Sequence, residues 1–228
     1  MNSGIVISNK KVSFGGISLT DFIEKYDTPL FLFSEQRLED NYNALKESFR
    51  RYYPKTEVFY SLKTNFELSI LKTLRRLGSK AEAASALEVI IAKKAGFEGS
   101  DMVLDGPAWT DDDIKFCIQK NINTFNVDSI DELRRVNRLA KSLGKKVKIS
   151  FMIFPEIRMS ILKSFIEGYI SKFGVPLSKA VELYKEALTM DYVIPCAIST
   201  HIGSMITDPS YYEKTVQRLV KLAADLKE

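Results

Sequence analysis

Short apolar runs rich in β-branched and aromatic residues alternate with longer stretches of helical period along most of this chain. Residues 30–33 (LFLF) and 57–62 (EVFYSL) read as strands. Between them Ser34 opens a helix that runs to about Phe49, its hydroxyl placed to accept from an unpaired amide of the first turn. Leu68, Leu71 and Leu74 recur at helical spacing between Glu67 and Leu77, and Gly78 follows. The pattern then repeats. Strands are predicted at about 80–84, 102–105, 123–127, 147–153 and 196–200, with helices at about 86–95, 110–120, 129–143 and 177–190. Asp128 and Ser129 both offer an N-cap, with carboxylates in the turn that follows; Gly96 and Gly144 stand where helices should stop. Thr110-Asp111-Asp112-Asp113 reads as a solvated helix cap.

Strand–helix steps of about 20–24 residues indicate βαβ units and a parallel sheet. Right-handed crossovers leave two solutions, an open doubly wound sheet or a closed (β/α) barrel, and periodicity alone does not choose between them. Residues 1–28 are different: short, β-leaning and carrying Gly15-Gly16, as if to pair outside the repeating body. Residues 155–171 are the longest interruption of the repeat.

Composition narrows the chemistry. With 228 residues, 45% hydrophobic, the chain can bury a substantial core. A net charge of +4 with interleaved signs argues against a dedicated nucleic-acid surface. One histidine, His201, and two cysteines, Cys117 and Cys196, cannot build a His/Cys zinc site or a disulfide framework. The first 20 residues lack a basic region followed by a long apolar run, and no apolar stretch approaches the roughly 20 residues that span a bilayer. The expectation is a cytoplasmic protein with reduced cysteines and no membrane partner. Neither a G-x-G-x-x-G nor a P-loop lysine motif is present, which lowers the case for a Rossmann dehydrogenase or an NTPase.

In a parallel α/β fold the chemistry gathers where strands end and helices begin. Lys63, at the end of Val58-Phe59-Tyr60-Ser61-Leu62, is the unusual residue there. Either its head reaches water at the strand end, or burial lowers its proton affinity and makes it an amine nucleophile. His201-Ile202-Gly203-Ser204 follows another strand: a histidine, a glycine that lets backbone approach a ligand, and a serine able to donate to an anion. A histidine packed for structure serves the same pattern. Asp105-Gly106-Pro107 reads as a turn.

Taken together, six collinear motifs over about residues 26–205 resemble the fold-type III pyridoxal-phosphate-dependent decarboxylases, the group of the diaminopimelate, ornithine and arginine enzymes. The motifs are Tyr26–Phe31, Tyr60–Asn65, Glu82–Glu88, Asn126–Ser129 with Glu132-Leu133, Ser171–Val175 and His201–Ser204. The fifth leans toward the diaminopimelate branch. The resemblance implies a (β/α) barrel of alanine-racemase type followed by a β-domain. It implies that Lys63 carries pyridoxal 5'-phosphate through a Schiff base, that His201 stacks on the cofactor ring and Ser204 binds its phosphate, and that Glu82 belongs to the same cofactor site. The substrate would be a small-molecule amino acid, basic or diamino.

This sequence also departs from the family pattern. Glu82 stands where aspartate is usual, Ala86 where a small glycine is usual, Met152 near an expected arginine, and Trp109 close to the place of a basic residue. The sequence ends at Glu228, after about six βα units, whereas family members continue with a phosphate loop and the β-domain. The expectation is therefore a leading segment (1–28) that pairs with that β-domain, a partial barrel (29–228), and little activity for the chain alone. A homodimer or association with a complementing chain follows from the same resemblance. The alternatives are a non-catalytic pyridoxal-phosphate carrier or regulator, which residues 1–34 disfavour, and one subunit of a split enzyme.

Overall fold

The computed structural model describes residues 4–8, 11–122, 124–157, 173–204 and 206–227. Ile5–Ser8 (β1), Lys11–Phe14 (β2) and Ile17–Ser18 (β3) form a small antiparallel sheet, and Leu19–Tyr26 (α1) packs against it. The repeating body follows: Glu35–Arg50 (α2), Phe59–Ser61 (β4), Leu68–Arg76 (α3), Lys80–Ala83 (β5), Ala86–Lys94 (α4), Met102–Leu104 (β6) and Asp111–Gln119 (α5). It continues through Thr124–Val127 (β7), Ile130–Ser142 (α6), Val147–Phe154 (β8), Val175–Pro176 (β9), Ala180–Leu188 (α7), Val193–Ser199 (β10) and Ser210–Asp225 (α8).

The second sheet is ordered β10-β8-β7-β6-β5-β4, all parallel, with the short β9 joined to β8. Strand order follows chain order without reversal. A doubly wound sheet reverses at a switch point; a singly wound one curls into a (β/α) barrel. Strand order thus settles what periodicity left open: the described body is an arc of barrel, as the family resemblance implied.

Helix starts were the most legible elements. Ser34, Ser85, Thr110 and Ser129 each accept from the backbone N–H three residues on, at 3.1–3.2 Å. Of the two candidate caps at 128–129, Ser129 does the capping. Gly96 and Gly144 end their helices at φ 96° and 62°, a region that costs a residue with a Cβ more.

Two expectations need correction. Residues 30–33 form no strand: the run has β propensity but no ladder among the described residues, and Phe31 is 89% exposed. The run predicted over 57–62 is a strand only over Phe59–Ser61, because Leu62–Thr64 winds into a 3₁₀ turn that buries Leu62. Most of the 155–171 interruption, and Ser171-Lys172 of the fifth motif, lie outside the described residues.

Alternation assigns the two faces of the sheet. Ala81, Ala83, Met102, Leu104, Phe125, Val127, Ile149, Phe151 and Ile153 point to the helices and make the core. Residues paired across the sheet share a face, so Ser61, Glu82, Val103 and Thr124 point the other way, into the barrel. One irregularity interrupts the ladder. Pro195 pairs with Ile149 and Ala197 with Ser150, so Cys196 is an extra residue. Tyr184 of α7 fills the gap: its hydroxyl accepts from Phe151 N–H at 3.1 Å and donates to Ala197 C=O at 2.6 Å, with its ring edge-on to Phe151 at 5.1 Å. Burial pushes the Tyr184 phenol up to about 12.

This repair is testable. Tyr184→Phe keeps the ring but leaves the buried Phe151 N–H unpaired, and is expected to cost about 1–3 kcal/mol in urea unfolding. A loss no larger than a few tenths would show that water replaces the hydroxyl.

Candidate functional site

The C-terminal ends of β4, β5, β6, β7 and β10 bring Lys63, Glu82, Asp105, Asp128 and His201 into one electrostatic neighbourhood: the carboxyl of Asp105 feels all four of the others. Each side chain is set there by the element beneath it. Lys63 is lifted off β4 by the 3₁₀ turn, anchored by the fully buried Leu62. Of the two readings of Lys63, the exposed head is the one the structure has: its side chain is 60% exposed and not desolvated. The Lys63 ammonium nevertheless has a partner. Its Nζ donates to Glu82 Oε1 at 3.3 Å, and Ser61 Oγ donates to the same oxygen at 3.2 Å. Glu82 is the less exposed partner, at 23%, and β5 holds it on the inner face opposite Ser61.

Two of the turns use the same device to hold the chain above the strands. After β5, Glu88 Oε2 accepts from Ala84 N–H at 2.7 Å while Ser85 caps Glu88 N–H. After β7, Glu132 Oε2 accepts from Asp128 N–H at 2.8 Å while Ser129 caps Glu132 N–H. The second turn fixes the backbone of Asp128 at the mouth. Burial raises the carboxyls of both Asp128 and Glu132 above the ordinary range.

Asp105 is the site residue that sequence reasoning passed over as a turn. Its N–H donates to Ala83 C=O at 3.0 Å, continuing the parallel ladder one step past β6. Being two residues beyond Val103, its side chain points to the inner face with Glu82. Gly106 then crosses so close to β5 that an added Cβ would lie 2.9 Å from Ala84 O. The Asp105 carboxyl is pushed up to about 6, first by burial and then by the Glu82 charge, with Asp128 adding and Lys63 and His201 opposing. The signal in the sequence was only that an acid follows a strand.

His201 is exposed just past β10, with its ring edge-on to Phe173 at 5.9 Å between centroids. Ser204 is exposed in the same loop, beside Gly203 at φ 130°. Met152 is buried on the inner face, where the family pattern has arginine. Trp109 is buried as well, and its carbonyl accepts from Arg135, whose Nε also donates to Asp111 at 2.6 Å. Two concave surfaces, of about 530 and 240 Å³, lie away from this rim at the N-terminal ends of β4 and β8.

Could these residues hold pyridoxal phosphate? An exposed primary amine suits an aldehyde, and a flat imidazole suits an aromatic ring. A hydroxyl beside an open-backbone glycine suits a phosphate oxygen. Ser150 Oγ, opposite Asn126, is buried without a hydrogen-bond partner among the described residues. The donor set fits the group.

Comparison with known proteins agrees with this chemistry. The model of the family described as "Pyridoxal-dependent decarboxylase, pyridoxal binding domain" matches residues 36–228. Diaminopimelate decarboxylase of Methanocaldococcus jannaschii is 32% identical over 234 residues, covering 100% of this chain and 53% of the relative. That of Archaeoglobus fulgidus is 30% identical over 214 residues, covering 93% and 50%. The crystal structure of the M. jannaschii enzyme in co-complex with L-lysine superposes with a TM-score of 0.91 at 32% identity, over 99% of this chain and 54% of that one. The chain spans about half the length of the curated relatives it matches.

The electrostatics of Asp105 are open to direct measurement. A carboxyl raised to about 6 in the folded state stabilises the fold fully below the unfolded value of 3.8, and that contribution is lost as pH rises through about 6. Relative to the wild type, Asp105→Asn should therefore gain stability between pH 4 and 7.5, on the order of 1 kcal/mol after solvent screening. Urea unfolding of both proteins at the two pH values reads it; a constant difference would mean that Asp105 titrates as an exposed aspartate does.

Proposed function

Because this chain belongs to the pyridoxal-dependent decarboxylase family, matched over residues 36–228, we propose that it is the cofactor-binding part of a carboxy-lyase acting on a diamino acid of the diaminopimelate kind. The observation that carries the reading is the Lys63–Glu82 pair at the mouth of the barrel, an exposed amine held by a carboxylate that a neighbouring serine orients.

The roles proposed for the residues extend that reading. Lys63 is the amine that carries pyridoxal phosphate. Glu82 holds its ammonium until the amine is needed, and Ser61 keeps Glu82 Oε1 turned toward it. His201 offers a ring face to the cofactor, its plane fixed by the edge-on contact with Phe173. Ser204 donates to the phosphate from the loop after β10. When bound, the cofactor supplies the electron sink for the bond to the departing carboxylate carbon. The protein's own work is to keep the amine, the ring contact and the phosphate donor on one rim of a rigid sheet.

Within 1–28, β1, β2 and β3 form a small sheet of their own against which α1 packs, which supports reading 1–28 as a leading segment apart from a barrel body at 29–228. Apolar side chains stand exposed near both edges of the large sheet. On one side are Phe31 and Phe33 before α2, and Tyr52 and Tyr53 after it; on the other are Tyr212, Val216 and Val220 along α8. Surface of this kind favours association, with a second copy or a complementing chain, over a free monomer. We place the protein in the cytoplasm on its two unpaired cysteines. No helix among the described residues is long and apolar enough to cross a membrane.

Incubating the purified chain with pyridoxal phosphate and reducing with borohydride should label Lys63 stoichiometrically, as read by peptide mass spectrometry, and Lys63→Ala should abolish that label. Carbon dioxide release from diaminopimelate by the same chain should be near background. Labels scattered over surface lysines would sink the assignment of Lys63, and normal turnover would sink the expectation of low activity.

A further inference from the structure

The turn that carries Lys63 lacks the device that holds the turns after β5 and β7. There a serine caps the next helix, and a glutamate three residues on returns to a backbone N–H. After β4, Ser61 stands at the N-cap of the 3₁₀ turn Leu62–Thr64 but makes no capping bond; its hydroxyl goes to Glu82 instead. Glu67, at the start of α3, makes no side-chain cap either. Leu62 pins the beginning of the turn in the core. The end of the turn is held by Tyr60. Pairing with Ala81 sets the Tyr60 side chain on the helix-covered face, where it packs against the core. From there its hydroxyl donates to the Asn65 carbonyl at 3.2 Å. Burial raises the phenol above its ordinary value, which keeps the hydroxyl a donor. Asn65 Oδ1 in turn accepts from Glu67 N–H at 3.0 Å, so the tied residue also leads the chain into α3.

We propose that Tyr60 is a positioning residue for the Lys63 amine: by tying the Asn65 carbonyl to the core, it holds the 3₁₀ turn where Lys63 Nζ meets Glu82. This rests on the reading of Lys63 as the capturing amine. The Lys63 side chain is long and 60% exposed, so only its backbone can be fixed in advance. Leu62 lies one residue before Lys63 and Asn65 two residues after it, so the two anchors bracket the lysine. Two anchors set both the place of the turn and its rotation, whereas Leu62 alone leaves the rotation open. Without the hydroxyl, the 3.3 Å contact from Nζ to Glu82 is reached from a wider spread of backbone positions. The amine is then less often where an aldehyde at the rim meets it. Tyr60 acts through Asn65 and the turn.

Tyr60→Phe keeps the ring in the core and removes only the clasp. In the full chain, label at Lys63 is quantified against the concentration of pyridoxal phosphate before borohydride reduction. The half-saturating concentration should rise roughly 3–10-fold in Tyr60→Phe, the worth of one neutral hydrogen bond. Hydrogen exchange of the chain without cofactor reads the turn itself: amides of residues 62–66 should exchange faster by a similar factor, while those of β5, β6 and β7 keep their rates. Tyr184→Phe is the control for stability, since it removes a buried hydroxyl from another part of the sheet and should leave the half-saturating concentration at the wild-type value. Unchanged exchange at 62–66 overturns the clasp. Faster exchange with unchanged capture overturns the positioning role, as does an equal loss of capture in Tyr184→Phe. Failure of the wild-type chain to label at Lys63, with exchange at 62–66 still faster in Tyr60→Phe, overturns the capture reading while upholding the clasp.

Discussion

The two-residue period of the strands is the constraint from which the rest of this structure follows. Parallel strands in chain order commit alternate side chains to a helix-covered face and to the barrel interior. The helix-facing set is uniformly apolar, from Ala81 and Ala83 on β5 to Phe151 and Ile153 on β8, and it is the core. The interior set is free to be polar: Ser61, Glu82, Thr124, Asn126 and Ser150. A slip of one residue in any strand would exchange the two sets, exposing core side chains and burying charges without partners. The same register that secures stability therefore delivers Glu82 and Asp105 to one rim.

What the register cannot do is hold the rim itself, where the ladder stops and the chain turns into a helix. Serine caps and returning glutamates do that. Ser85 with Glu88, and Ser129 with Glu132, satisfy amides on both sides of the turn, each glutamate turning one oxygen back to accept a backbone N–H. The rim residues Ala84 and Asp128 are thereby tied to helices α4 and α6, which are themselves packed on the core. Lys63 is held differently, by a 3₁₀ turn pinned at Leu62, so its backbone is fixed while its long side chain stays free to move toward a ligand.

This division explains what the sequence could and could not tell. Caps are local chemistry, a serine hydroxyl meeting an amide three residues on, and every body helix they begin was legible. The run at 30–33 misled because β propensity describes a side chain's fit to a pleated surface, whereas a strand exists only when another strand lies beside it. Lys63 was legible as a candidate but not its exposure, since the 3₁₀ turn that lifts it leaves no mark in the apolar pattern. Asp105 was missed for a different reason. Asp-Gly-Pro is a turn signal wherever it occurs, and the field at this carboxyl comes from residues between 23 and 96 positions away in the chain, brought together only by the winding of the sheet.

The charges of the rim also give it a direction. Glu82, Asp105 and Asp128 follow one another across β5, β6 and β7, while His201 and Ser204 lie beyond β10, at the other end of the strand order. A phosphate dianion close to three carboxylates would be repelled, and an ammonium there attracted. For a cofactor that presents an aldehyde at one side of its ring and a phosphate at another, the proposed reading would put the aldehyde by Lys63 and the phosphate toward the loop at Gly203-Ser204, at the far end of the strand order from Glu82. On the proposed reading, the ammonium of an amino-acid substrate would be drawn to the same acidic row beside Lys63, the side from which an amine could replace the lysine.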